Sequence, residues 1–255
     1  MYVLSSPSKT QDYSLSPLPY KETNILFPES VVKLVNKLKK LDALELSKLL
    51  KISFKIALKT ALHYKQFNTN QSSARQALFV YTGSVYQTLS AITLKKNEVF
   101  YLQKHLLVMS GLYGLIRPFD LIQAHRLDMG SKIYIENHVL YKYWRNTITD
   151  KLNELTYQNN YSYIVNLASA EYSQAILKSS IKANFIDIVF VEYFNNTYKT
   201  VGVYAKKARG KMIRFLATNN ILKVKDIEAF NQDGYKFVKG LSSENNYVFA
   251  RNKPC

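Results

Sequence analysis

Short apolar runs that break off in small polar residues alternate with amphipathic helical patterns along the whole of this chain. "MYVLSS", "YSYIVNLAS" and "NFIDIVFVEYF" read as strands. Between the first two, Val31, Val32, Leu34, Val35, Leu38 and Leu41 recur at helical spacing, and Pro28 suits a first helical position. Further helical patterns cover Ala43–Leu50, Ser53–Gln66, Asn97–Met109, Tyr141–Leu155 and Lys206–Asn220. "ALFVYTG" (Ala77–Gly83) and "KIYIE" read as strands. "KTVGVYA" is expected to fold back on "NFIDIVFVEYF" across Asn195–Asn196, and the tail is expected to form a hairpin turning near Ser242–Asn246. The polar stretch from Pro7 to Pro28 holds four prolines and reads as loop. Strands and helices are thus interleaved, which predicts an α/β fold, with α+β as the alternative. No linker divides the chain, so residues 1–255 are expected to form one compact domain.

The apolar fraction of 47% supports a substantial core and argues against disorder. Thirty-five basic residues against 18 acidic give a net charge of +17, which favours a polyanionic partner such as nucleic acid. Lys outnumbers Arg by 28 to 7, as translation of an AT-rich genome would produce, but codon drift does not account for the shortage of acids. The single cysteine, Cys255, allows neither an intrachain disulfide nor a cysteine-based zinc cluster, and fits a reducing cytoplasm. The N-terminus lacks the pattern of a signal peptide, and no apolar run approaches the roughly 20 residues of a membrane span.

Glycine and arginine are scarce, yet "MSGLYGLIRPFDLIQAHRLDMGSKI" (Met109–Ile133) gathers three of the eight glycines and two of the seven arginines. Gly111 and Gly114 read as a tight exit from a helix, Pro118 as stiffening a loop, and Gly130 as its end. Arg117 and Arg126 each have an acid nearby, Asp120 and Asp128. That pairing predicts an ordered wall of a site.

Four other segments are candidates. In "SSPSKT" (Ser5–Thr10) a strand ends in hydroxyl residues and Lys9, and ligands of open α/β sheets favour such strand ends. The run Val31–Lys65 carries nine lysines, and residues 44–66 outline a helix-hairpin-helix around "KIS", without its usual glycines. There Lys51, Ser53 and Lys55 would meet a phosphate, Ile52 would pack inward and Ser53 would cap the second helix. "KKARGKMIR" places Lys207, Lys211 and Arg214 on one helical face beside Lys206 and Arg209. In "NLASAEY", Asn166 ends a strand, Ser169 is a natural N-cap and Glu171 suits a first helical turn. The bland alternative for each is a strand exit, a solvated basic face or a helix cap. The histidines, including His125 beside Asp128, show no metal-ligand spacing, so no metal or other cofactor is expected.

In this order, "SPSKT", "MSGLYGLIRPFDLIQAHRLDMGSK", "NLASAEY", "YAKKARGKMIRF" and the late "FNQDGYKF", "SS" and "YVF" resemble the YaaA family over about residues 1–252. The resemblance implies a cytoplasmic bacterial protein of the peroxide stress response, associated with limiting free iron and oxidative DNA damage. It implies DNA binding through a positively charged cleft and a helix-hairpin-helix, in an α/β fold with a mixed sheet and flanking helices. Carried over by position, its signature falls on Lys9, Arg117, Asp120, Arg126, Asp128, Gly130, Asn166, Ser169, Glu171, Lys206, Lys207, Arg209 and Gly210.

Two functions of different class follow. In the first, a monomer binds DNA phosphates, preferring distorted or damaged duplex, through Lys9, Lys51, Ser53, Lys55, Arg117, Arg126, Lys206, Lys207, Arg209, Lys211 and Arg214. In the second, an enzyme acts on a nucleotide, nucleobase or glycosidic bond, with Lys9, Asp128, Ser169 and Glu171 as catalytic candidates, because phosphate binding alone has no need of carboxylates.

Overall fold

The computed structural model describes residues 1–16, 18–67 and 73–253; Cys255 lies outside them. In chain order the elements are β1 (Tyr2–Ser5), α1 (Pro28–Leu38), α2 (Ala43–Leu50), α3 (Phe54–Gln66), β2 (Arg75–Gln76), α4 (Ala77–Val80), α5 (Ser84–Leu89) and α6 (Lys96–His105). There follow β3 (Leu106–Ser110), β4 (Gly114–Ile116), β5 (Leu121–Ile122), β6 (Tyr134–Ile135), β7 (His138–Val139), α7 (Leu140–Gln158), β8 (Tyr163–Asn166) and α8 (Ala170–Ser173). The chain continues through β9 (Asn184–Phe194), β10 (Thr197–Lys199), α9 (Gly202–Thr218), β11 (Lys236–Phe237) and β12 (Asn246–Asn252).

The main sheet is mixed and eight-stranded, in the order β11-β12-β9-β8-β1-β3-β4 with β10 alongside β9. β1 is parallel to both β3 and β8, and β9 is parallel to β8 and β12. β4, β10 and β11 run antiparallel to their neighbours. Every residue of β1 and β3 is buried. That is why these strands are apolar at consecutive positions rather than alternating. From β1 the chain goes to β3 on one side and later to β8 on the other. Such a reversal opens a crevice at the carboxyl ends of the strands, the usual seat of a ligand in open α/β sheets.

Four readings of the sequence are corrected, the last at the central glycines. Ala77–Val80 is a short helix, not a strand. A brief apolar run has no decisive period, and here Ala77 N–H donates to the Asp120 carbonyl and Leu78 N–H to that of Pro118, both at 3.0 Å. The helix predicted to reach Met109 stops at His105, because Leu106–Ser110 pairs with β1 and β4 instead. Only Thr197–Lys199 of the second hairpin arm is strand, and α9 starts at Gly202. The turn itself is where it was expected, with Asn195 and Asn196 both at positive φ.

The central glycines turn a hairpin rather than leave a helix. Gly114 opens β4 with φ +72°, and a Cβ there would lie 2.7 Å from the fully buried Trp144. Trp144 in turn donates its indole N–H to the Gly111 carbonyl at 2.8 Å. At Gly111 a Cβ would come within 2.3 Å of the Leu127 carbonyl, so the hairpin and the Leu127–Asp128 segment sit in direct contact.

Candidate functional site

At the carboxyl ends of β1 and β8, two loops meet. Ser6 Oγ accepts from Ser169 N–H at 2.8 Å, and Asn166 Oδ1 accepts from Ala168 N–H at 3.0 Å. The Asn166 side chain also donates to Asp187 at 2.7 Å, which fixes the end of β8 against β9. Ser169 does occupy the N-cap position of α8, but its side chain makes no capping bond; Ser6 Oγ donates to it at 3.3 Å. These loops form one side of a cavity of about 240 Å³. Its wall includes Ser6, Ser8, Lys9, Thr10, Ser169 and Glu171, with Gly83, Tyr86 and Tyr172 closing it and Lys206 and Arg209 reaching in from α9.

Gly83 and Tyr86 were not found by sequence reasoning, though the rarity of glycine was a usable signal at Gly83. A Cβ at Gly83 would lie 2.4 Å from Ser8 Oγ, and Tyr86 donates its hydroxyl to the Ser6 carbonyl at 2.9 Å. Burial raises the phenol pKa values of Tyr86 and Tyr172 far above the ordinary range, so both are neutral donors at any physiological pH.

Lys9 pairs with Asp128 at 2.9 Å, which ties the N-terminal loop to the central segment. Two residues on, Gly130 N–H donates to Glu171 at 3.3 Å. The Arg126 carbonyl accepts the hydroxyl of the buried Tyr64 of α3 at 2.8 Å. The stretch Arg126–Gly130 is therefore held at both ends, and of its residues Arg126 lines a neighbouring space. On its far side lies an open groove of about 640 Å³, lined by Lys59 and His63 of α3, by Arg126 and by Tyr13. Lys9 and Thr10 line both spaces and join them.

Four arginine Nε atoms, those of Arg126, Arg145, Arg209 and Arg251, are buried and meet no hydrogen-bond acceptor among the described residues. Arg145 and Arg251 make other contacts, to the Gln174 carbonyl and to Glu192, whereas Arg126 and Arg209 line the groove and the cavity. Burial lowers the Arg209 pKa from its ordinary value, although a guanidinium stays charged. A buried donor without an acceptor is costly, and an anion entering either space would relieve that cost.

The other candidates fall elsewhere. Arg117 is bound inward, with its Nε donating to the fully buried Asp120 at 3.0 Å and its fork to the Asn24 carbonyl at 2.6 Å. Desolvation raises the Asp120 pKa, against the opposing pull of Thr23 and Arg117. Lys211 pairs with Asp233, and Arg214 donates to the Leu89 carbonyl at 2.9 Å, so both fasten α9 to its surroundings. Lys207 is exposed outside the cavity. Gly210 lets α9 approach α5, since a Cβ there would lie 2.0 Å from the Val85 carbonyl.

The turn between α2 and α3 exposes Lys51, Ser53 and Lys55, beside the groove's α3 wall but outside both spaces. Lys51 takes the left-handed conformation, φ 53°, at the place where the usual motif has glycine. Ile52 is half-buried and packs on the core. Ser53 sits at the N-cap of α3 without a side-chain capping bond. α2 begins instead on a reciprocal capping box in which Asp42 and Glu45 each accept the other's backbone N–H at 2.8 Å.

Among the described residues no helix is long and apolar enough to cross a membrane. A family model described as peroxide stress protein YaaA matches residues 1–241. A UPF0246 protein of Francisella philomiragia is 45% identical over 254 residues, spanning 98% of this chain and all of its own length. A second UPF0246 protein, from Francisella tularensis subsp. novicida, is 44% identical over the same extent. With the family model covering nearly the whole sequence and such relatives aligned end to end, the chain belongs to the peroxide stress protein YaaA family.

Proposed function

We propose that this chain is a cytoplasmic DNA-binding protein of the peroxide response, holding nucleic acid phosphates along the space that runs from Arg126 past Lys9 to Arg209. Family membership supports a role in oxidative stress; the DNA partner and the limiting of iron-dependent damage are our extension of it. One observation carries the reading: a cavity and a groove share Lys9 and Thr10, and each holds a buried arginine Nε with no acceptor among the described residues. The net charge of +17 supplies the long-range attraction. Lys51, Ser53 and Lys55, at the α2–α3 turn, would extend the contact to flanking phosphates.

Binding to a short duplex, measured over a salt series, tests it. The logarithm of affinity should fall by about 0.9 per phosphate contacted for each tenfold rise in salt. Arg126→Met and Arg209→Met should each weaken binding and flatten that slope. Affinity indifferent to salt, or no binding near physiological ionic strength, refutes the reading.

A second reading, an enzyme acting on a nucleotide or glycosidic bond, is favoured by the carboxylates. Asp128 and Glu171 are gathered beside the cavity rather than scattered, one on Lys9 and one on Gly130. Equal inactivity of the wild type and Glu171→Gln on a panel of damaged duplexes would eliminate it.

A further inference from the structure

We propose that the small cavity between the ends of β1 and β8 receives one nucleotide unit with its phosphate, presented at a strand end or extruded from a continuous strand. The groove beside it would hold the flanking backbone. This deepens the DNA-binding reading and rests on it; it concerns recognition and requires no reaction.

The two spaces differ in what they can admit. The groove, about 640 Å³, is open and lined by Lys9, Lys59, His63 and Arg126 against one carboxylate, Asp12, a net cationic setting for backbone phosphates. The cavity, about 240 Å³, is less than half the size of the groove. A duplex cannot enter it, but a single unit freed from the stack can. Gly83 packs close to Ser8 and Tyr86 donates to the Ser6 carbonyl, which fixes this part of its lining.

Its chemistry is mixed in a way bare backbone does not satisfy. Arg209, with its unmatched Nε, and Lys206, one turn earlier on α9, ask for an anion. Glu171, from α8, is an acceptor that repels one, and its bond to Gly130 N–H uses only Oε1. Hydroxyls of Ser8 and Ser169 add neutral donors and acceptors. A ligand matching this set carries negative charge at one end and N–H or O–H donors at the other. A nucleotide has both, a phosphate beside sugar hydroxyls and base amino groups, and the rings of Tyr86 and Tyr172 offer apolar surface to the base. A run of phosphodiesters would place nothing but acceptors against Glu171.

The test compares fluorescently labelled DNAs of equal length, using the full chain. One is closed by hairpin loops at both ends, one carries a nick with a 5′-phosphate, one a nick with a hydroxyl, and one a single unpaired bulge nucleotide. Wild type should bind the bulged or the phosphorylated nicked DNA at least about tenfold more tightly than the closed duplex, because the freed unit enters at little unstacking cost. Preference for the bulge identifies an extruded unit; preference for the 5′-phosphate identifies a strand end. Arg209→Met should erase the preference, whereas Arg126→Met, in the groove, should weaken all four DNAs and leave the ratio. A preference that persists in a folded Arg209→Met protein overturns the assignment to this cavity. Equal affinity for all four DNAs in wild type, with normal salt dependence, overturns the inference and leaves DNA binding standing. Absence of binding to any of them removes both.

Discussion

Arg209→Met should stabilise the protein while disabling it. In the native fold the Arg209 Nε is buried without an acceptor among the described residues. A buried unsatisfied donor costs about 1–3 kcal/mol, more if charged. Methionine keeps most of the apolar stem and removes the cation, so little packing is lost. Because the residue retains partial contact with solvent, the lower part of that range applies, and the expected gain is about 1 kcal/mol. For a chain of this size that is a rise in melting temperature of about 2–4 °C. The assay pairs a thermal or urea melt with duplex binding by anisotropy. Stability should rise as affinity falls, and added duplex should raise the melting temperature of the wild type more than that of the variant. If Arg209→Met is instead destabilised by a kcal/mol or more, the guanidinium is satisfied within the fold and the electrostatic case for an anion site collapses.

Gly210→Ala should destabilise by about 1–2 kcal/mol, since overpacking of 1–3 outweighs the roughly 1 gained in helix propensity. The new Cβ would meet the Val85 carbonyl at 2.0 Å and Thr88 Oγ1 at 2.2 Å; a urea titration showing equal or greater stability would refute that contact. His125 is buried with its pKa lowered to about 4 from 6.5 by desolvation. Its neutral form is the native one, so its contribution is complete above pH 6.5 and lost as pH falls toward 4, by about 3 kcal/mol in all. Comparing urea stability of wild type and His125→Gln across that window should show the difference narrowing with acid; parallel curves would count against it. Lys51→Gly should relieve a left-handed non-glycine residue, leaving stability unchanged or raised by about 0.5 kcal/mol. If the α2–α3 turn contacts phosphate, the same variant should reduce the salt slope by about 0.9; an unaltered slope excludes Lys51 from the interface.

Helices α1, α2, α3 and α7 were legible because each carries an apolar stripe, and Pro28, Asp42 and Ser53 mark the starts of the first three. Ala77–Val80 was not, because four consecutive apolar residues have no period and the helix is fixed by bonds from residues some forty positions later. The Leu106–Ser110 strand hid behind the helix before it, with no glycine or proline at His105 to mark the change. At the site, Lys9, Arg126, Glu171 and Arg209 were visible as residue types. What sequence did not supply was which charges are spent internally. Arg117 and Arg214 carry the same guanidinium as Arg209, and Lys211 is likewise a cation, but their partners, Asn24, Leu89 and Asp233, are brought to them by the fold alone.

The place of β1 in the sheet bears on how the chain leaves the ribosome. The strand is synthesised before both of its neighbours yet sits between β3 and β8, with Val3 opposite Leu106 and Tyr2 opposite Ile164. Neither edge of this wholly buried segment can be covered until more than a hundred residues have followed, and the second waits for some sixty more. Folding is therefore held back by distant pairings, which are slow to close. During translation the stretch that later bears Ser6 and Lys9 hangs beside an exposed sticky strand, a natural client for a chaperone until β8 arrives.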